Sequence, residues 1–166
     1  YIGRDDFPRT IDYIKSGKTV ISLRTFSKIY GLAGLRIGYG IARPEIITEM
    51  NRVRHPFNAN SIAQDAAIAA LDDEEHLRRS REINNAGRAF IYRELGKRGI
   101  PYVPSETNFI LIRVGNGSRV VETFLKKGII VRNMDGYNLP DFIRLTIGLE
   151  KENRRFIEEL DRIFST

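Results

Sequence analysis

The spacing of apolar and polar positions changes several times along the chain, and each change predicts an element. Thr19-Val20-Ile21-Ser22-Leu23-Arg24-Thr25 is short and β-prone, and Arg36-Ile37-Gly38-Tyr39-Gly40-Ile41-Ala42 is a second apolar run with small residues. Both read as strands, with a glycine-rich loop between them. Residues 11–17 ahead of them read as a short helical turn closed by Gly17. Pro44 suits the first turn of a helix over residues 45–54, and Pro56 ends it. Asn60 or Ser61 can cap the next helix, in which Ala63, Ala66, Ala67, Ala69, Ala70 and Leu71 permit close packing.

From about residue 73 to 99 a long helix carries charges on most faces and apolar residues at Leu77, Ile83, Ala86, Phe90, Ile91 and Leu95. Such a helix often bridges two substructures, and Asp72-Asp73-Glu74-Glu75 forms an acidic first turn that complements its dipole. Gly99-Ile100-Pro101 stops it. Residues 109–114, 129–132 and 142–147 then read as strands, Ser118 as the cap of a helix through Lys127, and residues 151–164 as a final amphipathic helix. The expected fold class is α/β: residues 1–72 belong to one α/β module, 73–99 to a linking helix, and 100–166 to a small α+β domain.

Composition narrows the function classes. A chain of 166 residues with 42% hydrophobic content can bury a core. The absence of cysteine removes disulfides and thiolate metal sites, and with only His55 and His76 a metal site is not expected. No signal peptide or long apolar span is visible, so a cytoplasmic protein with no membrane partner is the expectation. The net charge of +6 comes from basic residues that stand singly or in pairs such as Lys126-Lys127 and Arg154-Arg155, interleaved with acids. Without a basic tract or aromatic platform, nucleic acid is not the expected partner. The chain opens on Tyr1, which reads as the middle of a longer protein.

The chemistry concentrates between the first two strands. Lys28 follows Ser27 in a loop rich in glycine and apolar residues, and Arg36 stands eight positions on. This reads as a buried amine suited to imine chemistry with an aldehyde, beside an anion site. Arg36, Ser27 and Thr25 offer a guanidinium fork and two hydroxyls, a set that fits a phosphate dianion. Hydroxyls in loops also commonly bond nearby backbone, and a lone loop lysine is more often simply solvated. Gly31, Gly34, Gly38 and Gly40 do not have the spacing of a dinucleotide fingerprint or a phosphate loop. Arg144 sits on a strand between Ile143 and Leu145 and so faces away from both, and Arg132 also lies on a predicted strand.

Ser27-Lys28 followed by Gly31-Leu32-Ala33-Gly34-Leu35-Arg36-Ile37-Gly38-Tyr39 resembles the pyridoxal-phosphate lysine motif of the fold-type I aminotransferases, in particular the histidinol-phosphate aminotransferase branch. Thr107-Asn108-Phe109, residues 128–132 and Arg144-Leu145-Thr146-Ile147-Gly148 are similar in the same order. The resemblance implies the C-terminal part of such an enzyme: the end of the large-domain sheet, the linking helix and the small domain. It makes Lys28 the catalytic residue and pyridoxal 5'-phosphate the cofactor, with Ser27, Thr25 and Arg36 on its phosphate and Tyr1 on its phenolic oxygen. Arg144, Arg132 and Asn108 become substrate-binding residues, and Tyr30 a weaker candidate. The implied partners are a small amino donor, most directly histidinol phosphate, and a 2-oxo acid, within a homodimer.

Aromatic amino acid aminotransferases and threonine-phosphate decarboxylase remain alternatives within the resemblance. Outside it stand an inactive folded fragment and a phosphate-binding or interaction module. The resemblance also places the aspartate for the pyridine nitrogen, part of the phosphate cup and the N-terminal arm before Tyr1, so this chain alone is expected to bind the cofactor poorly.

Overall fold

The computed structural model describes Tyr1 and residues 6–164. The chain divides into two compact units, Ile2–Arg79 and Ser80–Thr166, the second also taking in Tyr1.

The first unit contains α1 (Thr10–Lys15), β1 (Ser22–Thr25), β2 (Gly38–Ile41), α2 (Pro44–Val53), α3 (Ser61–Leu71) and the start of α4 (Glu74–Lys97). β1 and β2 form an antiparallel hairpin running from Ser22↔Ile41 to Thr25↔Gly38. Both strands are shorter than their apolar runs predict. At the far end of the hairpin Arg36 takes the left-handed conformation, φ 53° and ψ 49°, which cannot continue a strand. Gly38 is required where β2 begins, because a Cβ there would stand 2.6 Å from the Arg24 carbonyl oxygen. Pro44 opens α2, and the Asn60 side chain caps α3 by accepting from the Ala63 amide at 2.8 Å. Ala63 and Ala67, one turn apart, are the buried positions of α3.

The second unit is a two-layer α+β structure. It consists of β3 (Tyr102–Val103), β4 (Phe109–Arg113), α5 (Gly117–Lys126), β5 (Arg132–Asn133), β6 (Phe142–Thr146) and α6 (Glu150–Phe164), with most of α4. The sheet order is β3-β4-β6-β5, and every neighbouring pair is antiparallel. Alternation along β4 and β6 buries Ile110, Ile112, Ile143 and Leu145 on one face. Those side chains join Ile91 and Leu95 of α4, Phe124 of α5, and Phe156 and Leu160 of α6 in one core. The rings of Phe124 and Phe156 lie 5.2 Å apart within it. Burying side chains of this size contributes roughly 1.5–3 kcal/mol each. The opposite face of the sheet therefore carries Leu111 and Arg144, which are direct cross-strand partners.

Three local expectations are corrected. Asn116 rather than Ser118 caps α5, its side chain accepting from the Arg119 amide at 2.9 Å. Ser118 instead lies in the first turn and bonds Asp135. The strand expected over residues 129–132 reduces to Arg132–Asn133, because Gly128 at φ 71° closes α5 with a Schellman turn. In that turn the Gly128 amide donates to Leu125 O and the Ile129 amide to Phe124 O, which keeps Ile129 tied to the helix end. β3 is an addition, since two residues are too few for any alternation to be read. No helix among the described residues is long and apolar enough to cross a membrane.

Candidate active site

In the first unit the β1–β2 connection carries Thr25, Ser27, Lys28 and Arg36 on a backbone that is fastened to itself. Phe26 is the anchor: only 4% exposed, it packs on Tyr30 and Tyr39 with ring centroids at 4.9 and 5.7 Å. Its amide donates to Ile37 O at 3.3 Å and its carbonyl accepts from the Leu32 amide at 3.0 Å. Lys28 O accepts from the Gly31 amide at 2.9 Å, closing the turn that presents the lysine. Outside the connection, His76 Nε2 lies 2.9 Å from Ile29 O. Phe26 and His76 were not foreseen. An apolar residue beside the lysine and a histidine on a polar helix give no sequence signal of that task.

The side chains of this loop are largely uncommitted. Thr25 Oγ1 accepts from the Ser27 amide at 3.0 Å, the local turn that hydroxyls in loops favour. Arg36 donates one Nη1 bond, 2.7 Å to Ala33 O. Among the described residues Lys28 has no hydrogen-bond or ion-pair partner, and the Ser27 hydroxyl has none either. The expectation of a buried amine is corrected, since Lys28 and Arg36 are both exposed. The apolar neighbours do not enclose the lysine because Phe26 turns into the hairpin's own small core while Leu32 and Ile37 are only partly buried.

The second unit gathers Arg132, Arg144, Asn108 and Tyr1. Arg132 on β5 pairs directly with Arg144 on β6. The Arg144 guanidinium lies over the Phe109 ring, 4.7 Å from its centroid, and Arg144 Nε is buried without a hydrogen-bond partner. Asn108 is partly buried, and its carbonyl accepts from the Ile147 amide at 2.8 Å, extending the β4–β6 ladder. The residues before it are held by α4: Tyr92 Oη accepts from the Ser105 amide at 2.6 Å, Arg88 Nη1 donates to Ser105 O at 3.1 Å, and Asn84 Nδ2 donates to Thr107 O at 3.3 Å. Tyr1 borders a cavity of about 150 Å³ with Ser80, Ile83, Asn84 and Ile147, and burial pushes its phenol pKa up. A larger cavity of about 470 Å³, between α4 and the β6–α6 turn, is lined by Ile83, Phe90, Leu149 and Arg154 among others and holds none of the predicted site residues. No cluster among the described residues could hold a metal ion.

Chemically the first unit offers an unpaired primary amine with hydroxyl and guanidinium donors between Thr25 and Arg36, which suits a carbonyl compound that also carries a phosphate. The second offers two arginines at directly opposed positions of the β5–β6 ladder, a pair of cations that suits a dianion.

The family model for aminotransferase class I and II matches residues 1–160. The chain is 48% identical to a histidinol-phosphate aminotransferase of Moorella thermoacetica over 99% of its own length and 43% of that protein. Among solved structures, the histidinol-phosphate aminotransferase of Clostridium acetobutylicum superposes with a TM-score of 0.85 at 28% identity, over 96% of this chain and 50% of that one. The enzyme of Sinorhizobium meliloti in complex with pyridoxal-5'-phosphate gives a TM-score of 0.78 at 32% identity, over 87% of this chain and 40% of that one. The chain thus spans half or less of the length of the relatives it matches.

Proposed function

This chain belongs to the class I and II aminotransferases, and from that premise we propose that the protein it forms part of transfers an amino group from histidinol phosphate to 2-oxoglutarate with pyridoxal 5'-phosphate. The observation that carries this reading is the Lys28 loop: a backbone pinned through Phe26 holds an amine, a hydroxyl and a guanidinium that have donors to spare. The donor set fits the cofactor, with Lys28 on its aldehyde carbon and Ser27, Thr25 and Arg36 on its phosphate. Tyr1 is assigned to its phenolic oxygen. When bound, the cofactor supplies an electron sink for charge developing on the substrate carbon that bears the amino group.

Within that site Lys28 Nζ would remove the proton from the amino-bearing carbon of the donor and, in the second half-reaction, supply one to the corresponding carbon of the 2-oxo acid, which its lack of any competing partner favours. Arg36 would set fixed positive charge against the phosphate and so help hold the cofactor beside the lysine turn. Arg144 and Arg132 bind the phosphate of one substrate and the carboxylate of the other, and Asn108 lines the same place. The facing arginines favour a phosphorylated donor, and the relatives' names support that choice. As the family resemblance implies, the full-length protein is assigned to a homodimer. A cytoplasmic location accords with a biosynthetic transferase.

The test uses the full-length protein with added pyridoxal phosphate. An absorbance band near the visible edge that is lost in Lys28→Ala, together with turnover of histidinol phosphate and 2-oxoglutarate, is the expected result. A full-length protein without that band overturns the reading, and turnover of aromatic amino acids alone overturns the choice of donor.

A further inference from the structure

Arg144 has an environment that an anion-binding arginine does not need for charge alone. Its Nε is buried without a partner, and among the described residues its guanidinium makes no hydrogen bond and no ion pair. A like charge, Arg132, stands across the ladder from it. The guanidinium instead lies over the face of Phe109, 4.7 Å from guanidinium carbon to ring centroid. Phe109 reaches it by register: Leu111 is the direct partner of Arg144 and Phe109 lies two residues along the same sheet face.

Phe109 is itself held in place. Thr107 Oγ1 accepts from the Phe109 amide at 3.3 Å and donates to its carbonyl at 3.2 Å. Thr107 O in turn receives Asn84 Nδ2 of α4. A fixed ring thus carries the guanidinium, and a stacked guanidinium keeps its in-plane N–H donors for a ligand.

We infer that Phe109 is a positioning residue that sets the anion affinity of the Arg132–Arg144 pair by holding the Arg144 guanidinium on its ring face. The inference rests on the assignment of this pair to the substrate anion. Without the ring, Arg144 must be ordered against the repulsion of Arg132 each time an anion binds, and that cost appears in affinity rather than in the chemical step.

The experiment uses full-length enzyme saturated with pyridoxal phosphate, so that added inorganic phosphate reports on the arginine pair. Phosphate binding by equilibrium dialysis and the KM for histidinol phosphate are compared for wild type, Phe109→Leu, Phe109→Met and Phe109→Tyr. Leucine and methionine are expected to weaken phosphate binding and to raise KM about tenfold, with little change in kcat, and tyrosine to restore both. The methionine variant, whose unbranched side chain adapts to an irregular gap, serves if leucine impairs folding. Unchanged phosphate affinity in both aliphatic variants, or a tyrosine variant as weak as they are, overturns the inference. A wild-type enzyme that binds phosphate in this ring-dependent way but does not turn over histidinol phosphate leaves the inference standing and overturns the proposed substrate.

Discussion

Arg132 lies directly opposite Arg144 across the β5–β6 ladder, and among the described residues neither is paired with an acid. Like charges in facing positions destabilise a sheet by about 0.2–1 kcal/mol, so the pair is strained until an anion joins it. Arg132→Gln is therefore expected to leave stability unchanged or raise it by up to about 1 kcal/mol in phosphate-free buffer. It should also abolish most of the stabilisation that added phosphate gives the wild type. Thermal melts with and without inorganic phosphate, at constant ionic strength, measure both effects.

Arg36 holds a left-handed backbone, φ 53°, that side chains other than glycine adopt at a cost of about 1–2 kcal/mol. Replacing it with glycine is expected to stabilise the chain by about 1 kcal/mol while weakening cofactor binding in the full-length protein. Urea denaturation and a spectral titration with pyridoxal phosphate read the two sides. A variant that loses stability would show that the side chain's bond to Ala33 O outweighs the backbone strain.

A methyl group at Gly38 would stand 2.6 Å from the Arg24 carbonyl oxygen, a backbone atom in the facing strand. Gly38→Ala should push β1 and β2 apart and cost about 1–3 kcal/mol. The consequence reaches the lysine turn, because Phe26 N bonds Ile37 O immediately before this contact. Faster amide exchange at Gly31 and Leu32 in the variant is the expected signature.

Acid sensitivity should come from the junction of α4 and α6. Glu94 receives bonds from Lys97 Nζ at 2.9 Å and Arg98 Nη1 at 2.8 Å, and those donors pull its pKa down to about 2. The same guanidinium bonds Asp161 with Nη2 at 2.7 Å and lowers that carboxyl as well. Both pKa values are lower folded than unfolded, so the stabilisation is complete above the ordinary carboxylate range and lost as pH falls through the folded values. For Glu94 the window runs from about pH 4.5 down to about 2. Denaturant midpoints measured across it should fall less steeply in Glu94→Gln than in wild type.

Much of the first unit's chemistry was legible in the chain because it is local. A lysine, two hydroxyls and an arginine separated by a few residues must share one loop when strands flank them, and Pro44, Asn60 and Gly17 mark element ends by rules that need no distant partner. Asn116 and Ser118 are both good caps in sequence, and Asn116 takes the place with its side chain on the Arg119 amide while the Ser118 hydroxyl is committed to Asp135.

The sequence by itself determined the element types, the loop that carries Lys28 and Arg36, and the face of β6 on which Arg144 stands, since each follows from spacing along the backbone. Only the tertiary structure decided that β6 runs between β4 and β5, and with it that Arg144 meets Arg132 on one side and the Phe109 ring on the other. Strand order and register are fixed by hydrogen bonds between segments far apart in the chain, and by which side chains fill the shared core, so no local pattern encodes them. The exposure of Lys28 is of the same kind: a sequence can mark an amine as reactive, but what packs around it is settled by contacts between distant segments.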